Sequence, residues 1–120
     1  SPPGTYFDAL PLLVVTRQSL NSIDADVRRF RPNLVIDAPD GDARFPEFDW
    51  IGKTLRVGDA LIRIETECPR CVMVTRGFAD LSEDRSVLRR VIREADQNLG
   101  VYASVVEPGH ARIGDPIEFD

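Results

Sequence analysis

The chain is poor in the residues that would make its chemistry obvious. Of 120 residues, two are cysteine, one is histidine, one is tryptophan and one is methionine. Lys53 is the only lysine among fifteen basic residues, so basic character here means arginine. Two cysteines three positions apart, Cys68 and Cys71, exclude a disulfide framework and point to reducing, cytosol-like conditions, and the chain is expected to be cytoplasmic. No apolar run reaches the length that crosses a bilayer, and no signal peptide is present, so a membrane is not an expected partner. Twenty Asp and Glu against fifteen Lys and Arg give a net charge of -5, a surplus of the wrong sign for a nucleic-acid partner. There is no Gly-rich phosphate loop, no G-x-S-x-G elbow and no H-E-x-x-H helix. Met73 is the only methionine, so Ser1 is not a translated start, and the chain is expected to be processed or part of something longer.

What is present suits one compact domain, long enough to bury a core without disulfides or a structural metal. Residues 1–11 read as a linker or the end of a preceding domain, with Ser1 to Gly4 rich in Pro and Gly, and residues 12–120 as the domain itself. Leu12-Leu13-Val14-Val15 predicts a short buried strand, followed by a short helix capped by Thr16 that runs through Ser19 and Leu20 to Ile23. Asn33 to Asp37 predicts a second strand, and Ala38-Pro39-Asp40-Gly41-Asp42 a loop. Leu55, Val57, Leu61, Ile62 and Ile64, split by Gly58-Asp59, predict two strands about a tight turn. A similar phrase, Ala111-Arg112-Ile113-Gly114-Asp115, predicts a second β corner. The stripe Val87, Leu88, Val91, Ile92, Ala95 predicts a helix from about Asp84 to Asn98 that Gly100 terminates. Val101 to Val106 is a further strand, and Glu107 to His110 a turn. The fold class is therefore β-rich α+β, a barrel-like, mostly antiparallel sheet with a few flanking helices.

Two clusters carry chemistry. Cys68-Pro69-Arg70-Cys71 puts two thiols and a guanidinium at the end of a strand. A structural zinc needs four ligands, and His110, read as a surface loop residue, is the only other soft candidate, so zinc would require a second chain. A thioredoxin-like pair would have its first cysteine opening a helix, whereas Val72 to Thr75 continues as β-like sequence. Two buried cysteines acting as small hydrophobes is the plain alternative, which Arg70 weakens, because a guanidinium buried without a ligand is costly. The second cluster, Arg28-Arg29-Phe30-Arg31-Pro32-Asn33, is either a solvated face or a held set of planar donors suited to a phosphate or a pterin edge. Phe30 and Pro32 favour the held set. Trp50 reads as a core anchor.

In order, Arg29-Phe30-Arg31-Pro32-Asn33, Trp50-Ile51-Gly52-Lys53, Val57-Gly58-Asp59, Cys68-Pro69-Arg70-Cys71, Leu99-Gly100-Val101-Tyr102 and Pro108-Gly109 to Gly114-Asp115-Pro116 resemble the MOSC domain. That is the C-terminal domain of molybdenum cofactor sulfurases, found also in amidoxime-reducing proteins. The resemblance runs from about Leu12 to Glu118 and implies the same barrel-like fold. It implies that Cys71 is the catalytic thiolate and metal ligand, a soft donor suited to molybdenum. It implies that Arg31 and Asn33 touch the pterin of the molybdenum cofactor, molybdopterin, with Arg70, Thr16 and Ser19 adding contacts. A family-level association with pyridoxal phosphate comes with it. The implied function is a molybdenum-dependent oxidoreductase reducing N-oxygenated substrates, with a flavin or iron-sulfur electron donor. The alternative is a non-catalytic carrier of sulfur or cofactor with a persulfide on Cys71, and a third reading is a cofactor-free interaction domain. Family members carry an N-terminal β domain that is missing from this chain, so the isolated chain is expected to fold without holding the cofactor. After the cysteine the family runs through an acidic turn; here Thr75-Arg76-Gly77-Phe78-Ala79-Asp80 stands instead.

Overall fold

The computed structural model describes residues 5–7, 11–38, 44–77, 80–112 and 115–119, with the side chains at 5, 6 and 72 left aside. The expected linker at Ser1 to Gly4, most of the Ala38 to Asp42 loop, and Ile113-Gly114 of the second corner lie outside the described residues. The strands are β1 (Thr5–Phe7), β2 (Leu12–Thr16), β3 (Leu34–Ile36), β4 (Thr54–Val57), β5 (Ala60–Pro69), β6 (Asn98–Glu107), β7 (Gly109–Ala111) and β8 (Ile117–Phe119); the helices are α1 (Arg17–Ile23) and α2 (Ser86–Ala95). Six strands form a curled, half-barrel sheet in the order β3-β2-β6-β5-β4-β8, and β1 pairs with β7 alone. Only β2 and β3 run parallel, so the sheet is mixed but mainly antiparallel.

Strand β2 lies inside the sheet and is buried throughout, which is why it reads as an unbroken apolar run. Its alternation sends Leu12 and Val14 into the main core with Ile62, Ile64, Val101 and Ala103, and Leu13 and Val15 toward Cys68 on the other side. The helices pack a separate core of Ile23, Phe30, Val74, Val87, Val91 and Leu99. Register shifts interrupt the β5–β6 pairing between Ile64 and Thr66 and again between Glu67 and Pro69. Such bulges re-aim side chains, and here they bring the end of β5 over to the helical side, with Pro69 at an irregular position where it costs no ladder bond.

Several expectations need correction. Within residues 1–11, read as a linker or the end of a preceding domain, Thr5–Phe7 forms a strand paired with β7, and Phe7 belongs to the main core. Val72–Thr75, read as β-like, is a 3-10 turn. The β-branched residues misled because Val74 packs into the helical core rather than onto a sheet. Helix α2 ends at Ala95, where Asp96 takes a left-handed conformation (φ 52°) and its N–H caps Val91 O; Gly100 has no part in this. Gly100 lies in β6 with φ 78°, where a Cβ would stand 2.8 Å from Val15 Cγ2 and 2.9 Å from Val14 O. Glycine is there because β2 presses against the backbone. His110 is exposed as expected, but it sits in β7 opposite Tyr6 rather than in a loop. The turn at Gly58-Asp59 joins β4 to β5 as predicted, and Asp59 N–H donates to His110 O at 2.9 Å, which docks the two similar corners on one another.

Candidate functional site

Three short segments build the site. The 3-10 turn Val27–Arg29 is followed by Phe30, which is 1% exposed and pins the chain to the helical core. Arg31 then takes a left-handed conformation at φ 53°, costly for a residue with a Cβ and on the order of 1 kcal/mol, before Pro32 turns the chain into β3. The bulged end of β5 supplies Cys68 and Pro69 and hands over to Arg70 and Cys71. Arg70 is clamped by its main chain: its N–H donates to Gln97 O at 2.9 Å, and Gln97 Nε2 donates to Arg70 O at 2.9 Å.

These segments surround a cavity of about 320 Å³ whose wall includes Arg29, Arg31, Arg70, Arg76, Cys68 and Cys71. Among the described residues no carboxylate lines it, although the chain as a whole is acidic. Arg70 is fixed on three sides. Its Nε donates to Leu99 O and its Nη1 to Phe30 O, each at 3.0 Å, and the guanidinium lies 5.3 Å from the centroid of the Phe30 ring. Its Nη2 is buried and has no hydrogen-bond partner among the described residues. Burial pulls the Arg70 pKa below the usual arginine value, opposed by Cys68, Tyr102 and Cys71 close by. A buried guanidinium N–H without an acceptor is costly, and its planar donor geometry suits an oxyanion.

The two thiols differ sharply. Cys71 is exposed, whereas Cys68 is 3% exposed, and its thiol donates weakly to Pro69 O at 3.8 Å. Tyr102 lines the cavity as well, and its hydroxyl hydrogen bond to Cys68 raises its pKa, helped by the nearby sulfur and by burial. Among the described residues no three His, Cys, Asp or Glu side chains converge as a metal cluster. No helix among the described residues is long and apolar enough to cross a membrane.

The cavity thus gathers Arg31, Arg70 and Cys71 from the expected set, together with Arg29, Arg76, Cys68 and Tyr102. It does not gather Thr16 and Ser19. Both are fully buried: Thr16 Oγ1 caps α1 by accepting from Ser19 N–H, while Thr16 Oγ1–H and Ser19 Oγ–H donate to Glu47 Oε1 at 2.9 and 2.5 Å. Thr16 N–H donates to Glu47 Oε2 at 3.1 Å. Their polar atoms are spent on a buried carboxyl group. Asn33 is exposed but off the cavity wall, its Oδ1 accepting from Leu13 N–H at 2.7 Å and its own N–H donating to Leu13 O at 2.9 Å. It fixes the start of β3 beside β2 and so sets the turn that carries Arg31. Glu47 escaped the sequence reading, although a lone acid within Phe45-Pro46-Glu47-Phe48 is a signal for burial. Arg76 was seen only as a departure from the family pattern, and nothing in the sequence puts it on the wall.

Comparison with known proteins shows the family of the chain. The family model for the MOSC domain matches residues 6–118. Mitochondrial amidoxime reducing component 2 of Macaca fascicularis is 30% identical over 93% of this chain and 38% of its own length. Mitochondrial amidoxime-reducing component 1 of Mus musculus is 30% identical over 93% of the chain and 37% of its length. A molybdenum cofactor sulfurase of Drosophila grimshawi is 31% identical over 88% of the chain and 15% of its length. The chain thus spans little more than a third, or less, of the length of these curated relatives.

Proposed function

The chain belongs to the MOSC domain family, and from that premise we propose that it is the molybdenum-cofactor-binding domain of an oxidoreductase that reduces N-oxygenated compounds. The observation that carries the reading is the buried Arg70, whose Nη2 has no partner among the described residues, on the wall of a cavity that no described carboxylate lines and that the exposed Cys71 also lines. The donor set fits the cofactor: a soft thiolate for the metal and planar multi-donor guanidinium groups for an anionic pterin. When bound, the cofactor would supply a metal centre able to take an oxygen atom from an N–O group, the oxygen leaving as water once two electrons and two protons are supplied.

The chain's own residues do the rest. Cys71 is the protein ligand to the metal, and Arg70 and Arg31 bind the anionic part of the cofactor. The carbonyls of Phe30 and Leu99 hold Arg70 in one orientation, so little freedom is lost when an anion arrives. Asn33 sets the turn that presents Arg31. Because the relatives are much longer, a further domain of the same protein is proposed to complete the site, and a flavin or iron-sulfur partner to supply electrons. The test is reduction of an aromatic amidoxime by the full-length protein with a chemical electron donor. Turnover that depends on bound molybdenum supports the reading, and none in a fully loaded protein contradicts it.

A second reading draws on the exposure of Cys71 and on the sulfurases among the relatives: a carrier holding a persulfide on Cys71. A mass gain of one sulfur on Cys71, released by cyanide, would mark it.

A further inference from the structure

Arg76 stands apart from the other arginines of the cavity. Arg29 is committed to the main chain, donating to Arg76 O at 3.2 Å, to Val74 O at 3.5 Å and to Ser82 O. Arg70 is held by Phe30 O and Leu99 O. Arg76 follows the 3-10 turn that begins after Cys71; it lines the cavity, it is exposed, and its guanidinium makes no hydrogen bond or ion pair among the described residues. Nearby acids are drawn elsewhere. Arg28, outside the wall, holds Asp26 at 2.9 Å and Asp80 at 2.6 Å, and its hydrogen bonds bring the Asp26 pKa down to about 2. The cavity wall therefore carries an exposed cation with no partner among the described residues, five residues beyond the thiol, in a chain whose net charge is -5. Long-range attraction of anions by so acidic a molecule is weak, so a local cation inside a concave wall is where selection for an anion has to be made.

We propose that Arg76 is a specificity-determining residue that selects substrates bearing a carboxylate close to the group to be reduced. This rests on the reading that the chain is part of a reductase whose cofactor is held by Arg31, Arg70 and Cys71, with the substrate approaching the metal from the Arg76 side of the same cavity. A guanidinium and a carboxylate pair through two parallel hydrogen bonds, which orients the substrate as well as retaining it. Arg76 is exposed, so the expected effect is modest: about two- to fivefold in affinity, shrinking as salt rises.

The test uses full-length protein and two aromatic amidoximes of matched shape, one neutral and one carrying a carboxylate. Calorimetric titration gives the ratio of their Kd values in wild type, Arg76→Gln, Arg76→Glu and Arg76→Lys, and steady-state kinetics gives the ratio of kcat/KM. The proposal expects the wild type to favour the carboxylate about two- to fivefold, Arg76→Gln to abolish the preference, Arg76→Glu to invert it and Arg76→Lys to retain part of it. Equal affinities for the two compounds in the wild type, or a preference that survives Arg76→Gln, overturn it. Absence of turnover with either compound sinks the reductase reading instead, and the ratio of Kd values still decides whether Arg76 selects an anion.

Discussion

Arg70 and Phe30, forty positions apart, hold each other in two ways at once: the guanidinium donates to the Phe30 carbonyl at 3.0 Å and its carbon lies 5.3 Å from the centroid of the Phe30 ring. The first contact fixes the plane of the fork and the second its depth. With Leu99 O taken as well, Nη2 is the arm left without a partner among the described residues.

Replacing Arg70 separates its structural and binding roles. Arg70→Met strands the carbonyls of Phe30 and Leu99 and should cost about 2–4 kcal/mol in a denaturant melt. Arg70→Lys keeps the charge but loses the fork, and should cost less stability while still lowering bound molybdenum in the full-length protein. Equal molybdenum in wild type and Arg70→Lys would mean that Nη2 does not touch the cofactor.

The two cysteines should report their burial chemically. In the native protein a thiol reagent should label Cys71 at the rate of an accessible thiol and leave Cys68 unlabelled until unfolding. Cys71→Ser should shift stability by less than about 0.5 kcal/mol, as exposed substitutions usually do, whereas Cys68→Ser puts a hydroxyl among Leu13 and Val15 and should cost about 1–2 kcal/mol. Rapid labelling of both cysteines contradicts this.

The Thr16–Ser19–Glu47 cluster is assigned to stability. Glu47→Ala removes the acceptor for three donors in a fully enclosed site and should cost about 2–4 kcal/mol. Ser19→Ala should cost about 1 kcal/mol and leave molybdenum per folded molecule as in the wild type. A selective loss of molybdenum in Ser19→Ala would return Ser19 to the cofactor site.

How much of this could be read from the residues depends on how local the signal was. The alternation around Gly58-Asp59, the apolar run of β2 and the Thr16 cap are local, and they form where expected. That Arg31, Arg70 and Cys71 meet at one cavity was legible from Arg70-Cys71 and Phe30-Arg31-Pro32, where ring, proline and guanidinium sit side by side. Contacts made across the fold were not legible: Glu47 reaches Thr16 over 31 positions, and the two bulges that swing β5 onto the helical side leave no mark in the periodicity. Gly100 was placed at a helix end because helix termini commonly use glycine, when the cause was the approach of β2.

Tyr102 gives a pH test. Its hydrogen bond to Cys68 raises the phenol pKa in the folded state above the ordinary value near 10. The folded protein then holds more protons than the unfolded chain between those two values, so this contribution to stability is complete below pH ~10 and is lost as pH rises through the folded value. The difference in ultraviolet titration between wild type and Tyr102→Phe should show a phenol titrating later than free tyrosine, and Cys68→Ala should move it earlier. A midpoint at or below that of free tyrosine contradicts the contact.

The most direct measurement is molybdenum per polypeptide in the full-length protein made in a cofactor-producing host, compared for wild type, Cys71→Ser and Cys68→Ser. The account predicts close to one metal per chain in the wild type, a loss of about tenfold or more in Cys71→Ser, and most of the metal retained in Cys68→Ser. Full molybdenum in Cys71→Ser, or a larger loss in Cys68→Ser, would contradict the assignment of Cys71 as the ligand.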